Sequence, residues 1–288
     1  MLQQPVDAHI VKWPDVAAAM PDVVRSDARW IFHIGHVGST LVSRMLGEIG
    51  GVLAIREPRL LRDLALSAPD VRAEYIGAVP RLMSRTFSAD EIACVKATSF
   101  VSEIAAELVA PGERMLLLFA TPRHYIASIL AGENSVQEMR MLGEVRARRM
   151  AGRVGTFAVR NDAELAAAAW ACEMTSLEAA AEAMPDRQIA WADFDSMLAD
   201  MPAELGRAAA FFGFSADAAR LGAIADGPLM TRYSKALEYE YSPALRGELI
   251  AEASAAHGRE IDDALALLHR AAEKSPLLAR AVARAKEV

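Results

Sequence analysis

The chain has 288 residues, a formal net charge of −7 and 53% hydrophobic residues, of which few are aromatic. That length is enough to bury a large core, and the acidic balance excludes a general binder of nucleic acid or of anionic membranes, since both need surplus lysine and arginine to neutralise phosphates. The two cysteines, Cys94 and Cys172, lie in apolar surroundings and predict core thiols; with no basic leader and no apolar stretch of about 20 residues, the expectation is a soluble, cytoplasmic protein with no membrane partner.

Residues 1–28 hold three prolines and no sustained apolar period, which predicts a lead-in segment folded over the main body. Trp30 to Ile34 is a β-prone apolar run, Gly35-His36-Val37-Gly38-Ser39-Thr40 interrupts it, and Leu41 to Ile49 takes up helical spacing. A second strand is predicted over Val52 to Ile55, closed by Arg56-Glu57-Pro58, followed by a helical stretch from Leu60 to Met83. Ala93 to Val95 is a third short strand leading into Lys96, with a helix expected over Val101 to Val109. The strongest strand signal, Met115 to Ala120, ends at Thr121-Pro122-Arg123 before a helix that contains Ser128.

From Arg140 to Arg153 the chain is arginine-rich and less periodic, so residues 140–160 are expected to form an excursion or lid, with the arginines on a solvated helix face. Asp162 or a neighbour caps a long alanine-rich helix running to about Met184, and Gln188 to Trp191 is the last predicted strand. Strands alternating with helices imply one α/β domain over residues 1–288. Its expected form is a P-loop-type three-layer α/β/α arrangement, with a mostly parallel central sheet and an alanine-rich helical periphery. Ligands in such sheets bind beyond the carboxyl ends of the strands, where His36, Glu57, Lys96 and Arg123 all fall.

A glycine turn between a buried strand and a helix presents backbone N–H groups and a helix dipole to an anion. Val37, Gly38, Ser39, Thr40 and Leu41 are therefore candidate phosphate ligands; the alternative is an ordinary turn with Ser39 or Thr40 as helix cap. The turn lacks the lysine of the ATP-binding pattern, and the Met115 to Ala120 strand lacks an aspartate to position magnesium, so no metal is expected.

This turn resembles the donor-binding turn of the sulfotransferases, in particular their divergent bacterial branch. Further resemblance lies in Ala120 to Ser128, in Ala192-Asp193-Phe194 and Phe211-Phe212-Gly213-Phe214, and in Arg232-Tyr233-Ser234-Lys235, spanning residues 30 to 242. The resemblance implies transfer of a sulfonate from 3′-phosphoadenosine 5′-phosphosulfate to a hydroxyl or amine, by direct in-line attack. It places the 5′ phosphosulfate on the turn, with His36 where the family has arginine or lysine, and Lys96 stabilising charge on the transferred or leaving group. Glu57 is the candidate base, or else a structural ion-pair partner of Arg56 and Arg59. Arg123, Ser128, Arg232, Tyr233, Ser234 and Lys235 are the candidates for the 3′-phosphoadenosine end, Ala120 standing where the family places an arginine. The partners expected are thus a nucleotide donor and a small-molecule or other acceptor, with no nucleic acid. A P-loop small-molecule kinase and a nucleotide-binding protein without turnover are the alternatives.

Overall fold

The five apolar runs become strands because each is short, apolar and bounded by turn-forming or charged sequence. In a computed structural model describing residues 9–20, 25–231 and 242–286, they are β1 (Arg29–His33), β2 (Val52–Arg56), β3 (Ile92–Lys96), β4 (Arg114–Phe119) and β5 (Gln188–Asp193). The sheet order is β2-β3-β1-β4-β5 and every pairing is parallel. The central strands β3, β1 and β4 are buried on both faces, as their near-continuous apolar sequences require.

The crossover from β1 runs toward β2, whereas those leaving β3 and β4 run toward β5. Right-handed crossovers in opposite directions put their helices on opposite faces, which opens a crevice at the carboxyl end of β1. Helices Ser39–Leu46 and Met201–Phe212 cover one face; the 3₁₀ turn Ser99–Ile104 and helices Pro122–Leu130 and Asp162–Glu182 cover the other.

Helix Asp162–Glu182 is apolar almost all round and correspondingly buried. Its alanines let four helices, Pro122–Leu130, Glu133–Met150, Gly258–Ala272 and Pro276–Arg284, close in on it. Its cap is Asn161, whose side chain accepts from the Glu164 N–H.

Three local expectations are corrected. The stretch from 60 to 83 is not one helix but Arg59–Leu66, Pro69–Tyr75, a 3₁₀ turn and Val79–Met83, because Pro69 and Pro80 lack the N–H that helix continuation needs. The expected helix over 101–109 is split between the 3₁₀ turn and the short helix Ala105–Leu108. The arginines between 140 and 153 are only in part a solvated face: Arg140 and Arg148 are exposed, but Arg146 and Arg149 converge on Glu173, whose side chain is 2% exposed, and Arg149 and Arg153 share Glu103. Among the described residues no helix is long and apolar enough to cross a membrane, and no group of three or more metal-ligating side chains occurs.

Candidate phosphate-binding site

The turn after β1 is built from left-handed backbone. Gly35, His36 and Gly38 have φ of 79°, 52° and 60°, an arrangement that turns successive N–H groups into one concavity. Gly38 is the N-cap of helix Ser39–Leu46 and no side chain caps that helix, so the ordinary-cap reading of Ser39 or Thr40 falls away. Gly38 is irreplaceable for a second reason: a Cβ there would lie 1.9 Å from Cζ of the buried Phe194 ring.

His33, inside the apolar run of β1, sets the start of the turn. Its Nδ1 accepts the Gly35 N–H at 2.9 Å, so the hydrogen sits on Nε2, which donates to the Ala97 carbonyl at 2.9 Å. One ring therefore ties the turn to the carboxyl end of β3. His36 stands 3.6 Å from the Glu138 carboxylate and edge-on to buried Tyr125, so it faces a side chain of helix Glu133–Met150.

Lys96 is the last residue of β3 and is 1% exposed, yet its ammonium meets the Glu57 carboxylate and lies 3.3 Å from Thr40 Oγ1. Register explains the meeting, because Arg56 pairs with Lys96 and the following Glu57 N–H donates to the Lys96 carbonyl at 2.7 Å. Glu57 turns back with φ 47°; it and His36 are the two non-glycine residues with positive φ among those described. Such backbone costs about 1–3 kcal/mol per residue and persists only where the surroundings enforce it. The alternative ion pair of Glu57 with Arg56 and Arg59 is not formed: Glu57 binds Lys96, and Arg59 pairs with Asp63.

A second group lines the β4–β5 side. Asp193, at the end of β5, is 6% exposed; its Oδ2 accepts the Ser196 N–H while Oδ1 is buried without a partner, and burial pushes its carboxyl upward. Asp195 receives His124 Nδ1 at 3.0 Å on one oxygen and Arg246 on the other. Burial alone would raise the Asp195 carboxyl, but His124 and Arg246 outweigh it and hold the group below the ordinary value; the hydrogen bond to Asp195 raises the His124 imidazole. The Arg246 guanidinium stacks 5.3 Å from the centroid of Phe194.

Other anticipated residues have local engagements. Arg123 pairs with Asp262 at 2.6 Å on the surface, and the Ser128 hydroxyl donates to the Tyr125 carbonyl at 2.8 Å. The Ala120 carbonyl accepts Trp170 Nε1 at 2.9 Å. Arg232, Tyr233, Ser234 and Lys235 lie outside the described residues. Sequence reading passed over His33, His124, Asp195, Arg246 and Glu138. A polar residue within the apolar β1 run was the available signal for His33; the other four carry none until helices distant in sequence are brought together.

Fold and site define a parallel α/β domain with a glycine turn at the end of its central strand and a row of charged side chains along the carboxyl edge of the sheet. No protein-family model matches the chain, and no curated protein matches it. Among solved structures, it is similar to the sulfotransferase domain from the curacin biosynthetic pathway, with 15% identity, 75% of this chain and 84% of that chain covered, and a TM-score of 0.46. It is also similar to mouse sulfotransferase SULT7A1 complexed with PAP, with 12% identity, 92% and 91% covered, and a TM-score of 0.48. A third is the sulfotransferase domain of the Synechococcus PCC 7002 olefin synthase, with 13% identity, 77% and 86% covered, and a TM-score of 0.46.

Proposed function

We propose that the protein is a sulfotransferase that moves a sulfonate from 3′-phosphoadenosine 5′-phosphosulfate to a hydroxyl or amine acceptor. The observation that carries this reading is the Lys96 ammonium, supplied by the neighbouring strand to the rim of a phosphate turn that has no lysine of its own and held there by Glu57 and Thr40. The turn suits the donor: three left-handed residues shape it, and helix Ser39–Leu46 has no side-chain cap to compete for its first N–H groups. N–H groups from Val37 to Leu41 and the hydroxyls of Ser39 and Thr40 hold the 5′ phosphosulfate.

The acceptor oxygen or nitrogen attacks sulfur, the bond from sulfur to the 5′-phosphate oxygen breaks, and 3′-phosphoadenosine 5′-phosphate leaves. Lys96 offsets the negative charge that builds on the leaving oxygen, as a fixed cation in a water-poor site does most effectively. Glu57 takes the acceptor proton. The two roles are linked, because in the absence of donor Lys96 and Glu57 neutralise each other; engagement of Lys96 by the leaving group releases the Glu57 carboxylate to act as base. His36, beside Glu138, stands at the mouth of the turn as a further hydrogen-bond donor.

The test is calorimetric titration with 3′-phosphoadenosine 5′-phosphate without magnesium, alongside ADP and ATP with magnesium. Tight binding that depends on the 3′ phosphate supports the reading and justifies an acceptor screen, in which formation of a sulfated product separates an enzyme from a binding protein. Binding of ATP with magnesium alone moves the protein to the kinases.

A further inference from the structure

Binding of a doubly substituted nucleotide needs two anion sites; of the residues first expected at the second one, Arg123 is paired with Asp262 and the Ser128 hydroxyl with its own helix, while Arg232, Tyr233, Ser234 and Lys235 lie outside the described residues. A second cation, Arg246, lies over the ring of Phe194, which fills the space beside Gly38. Arg246 reaches this position from helix Pro243–Ala256, which packs on helix Pro122–Leu130.

The Arg246 side chain is largely buried; Nη1 is bonded to Asp195 Oδ1, and Nη2 is buried with no partner among the described residues. A guanidinium N–H withdrawn from water without an acceptor is costly, so a buried one signals an oxygen that arrives with a ligand. Asp195 Oδ2 takes His124 Nδ1, leaving Nε2 of that half-exposed ring without a partner among the described residues. One carboxylate thus holds two donors side by side, each with one nitrogen uncommitted. His124 also lies in the first turn of helix Pro122–Leu130, whose N-terminus has no side-chain cap. Among the described residues Asp193 is also close by; its Oδ2 accepts the Ser196 N–H and its Oδ1 is buried without a partner.

We infer that Arg246 and His124, oriented by Asp195, form a second oxyanion subsite beside the phosphate turn, which takes the 3′ phosphate of the donor nucleotide. The inference rests on the proposed function and names residues that the resemblance did not. Asp195 acts as a positioning residue; the contacts to the phosphate are made by Arg246 Nη2 and His124 Nε2.

The experiment compares affinities for 3′-phosphoadenosine 5′-phosphate and for ADP, which lacks the 3′ phosphate, on the full chain without magnesium. The variants are Arg246→Met, which keeps an apolar stem over Phe194, His124→Gln and Arg123→Ala. The expected result is that Arg246→Met loses about tenfold or more in affinity for the bisphosphate, the scale of a charge-assisted hydrogen bond, while ADP affinity changes less than about threefold; His124→Gln moves the same way. Retained ADP binding also reports that each variant is folded. Retention of the full bisphosphate preference in both Arg246→Met and His124→Gln overturns the subsite, as does loss of preference in Arg123→Ala alone. Equal loss of both ligands in Arg246→Met also overturns it, because Arg246 then acts only through Phe194 on the turn. If the wild-type protein shows no preference for the bisphosphate, the proposed function fails first and the subsite with it.

Discussion

Gly38→Ala tests the construction of the glycine turn after β1 most directly. At φ 60° a Cβ meets its own backbone, at a cost of about 1–2 kcal/mol. The same Cβ would sit 1.9, 2.1 and 2.5 Å from three atoms of the Phe194 ring, which is buried and cannot swing into solvent, adding about 1–3 kcal/mol of overpacking. The sum, about 2–5 kcal/mol, corresponds to a fall in Tm on the order of 10 °C for a chain of this size. Chemical denaturation of Gly38→Ala, Phe194→Ala and the double variant separates the two contributions. Phe194→Ala alone is expected to cost about 3–5 kcal/mol, but the double variant is expected to fall short of the sum by about 1–3 kcal/mol, because the clash is gone while the backbone cost remains. Strict additivity, or a Gly38→Ala loss below about 1 kcal/mol, refutes the claim that Phe194 seals the turn.

Three further predictions follow from the charged groups. Lys96→Met is expected to lower affinity for 3′-phosphoadenosine 5′-phosphate by about tenfold or more with little change in Tm, since the Glu57 side chain is 44% exposed and returns to water when its partner is lost; calorimetry and thermal melting check the two halves. Glu173→Ala strands Arg146 in the interior, while Arg149 keeps Glu103, and is expected to cost about 3–5 kcal/mol, read by urea denaturation. His124 has a folded pKa raised mainly by its hydrogen bond to Asp195, so its stabilisation is complete below its unfolded value of about 6.5 and is lost as pH rises through the higher folded value. The Tm deficit of His124→Gln is therefore expected to shrink as pH rises above about 6.5, and a proton NMR titration is expected to place the imidazole midpoint above that value; a deficit that grows with pH contradicts the assigned pair.

Sequence by itself determined the strands and the chemistry that hangs from their ends. Short apolar runs closed by glycine, proline or charge have few other places to go in a parallel sheet, and the residues that follow them fall along one edge. For that reason Gly38, Thr40, Glu57 and Lys96 were legible together as a site. The alanine-rich helix was legible for a similar reason, because periodicity and composition are local properties.

Tertiary structure decided which of those residues touch. Insertion of β3 between β2 and β1 brought Lys96 against both Glu57 and Thr40, and no local pattern encodes strand order. The arginines between 140 and 153 look solvated in a sequence window; Arg146, Arg149 and Arg153 are paired because Glu103 and Glu173 arrive on other elements, and in a water-poor interior the ion pairs form where opposite charges are brought close. His124, Asp195 and Arg246 come from three helices, 71 and 51 residues apart along the chain, and they meet only because packing has already brought those helices together around Phe194. Hydrophobic period sets which face of an element turns inward, whereas the partner of a buried charge is set by whatever element the fold places opposite it.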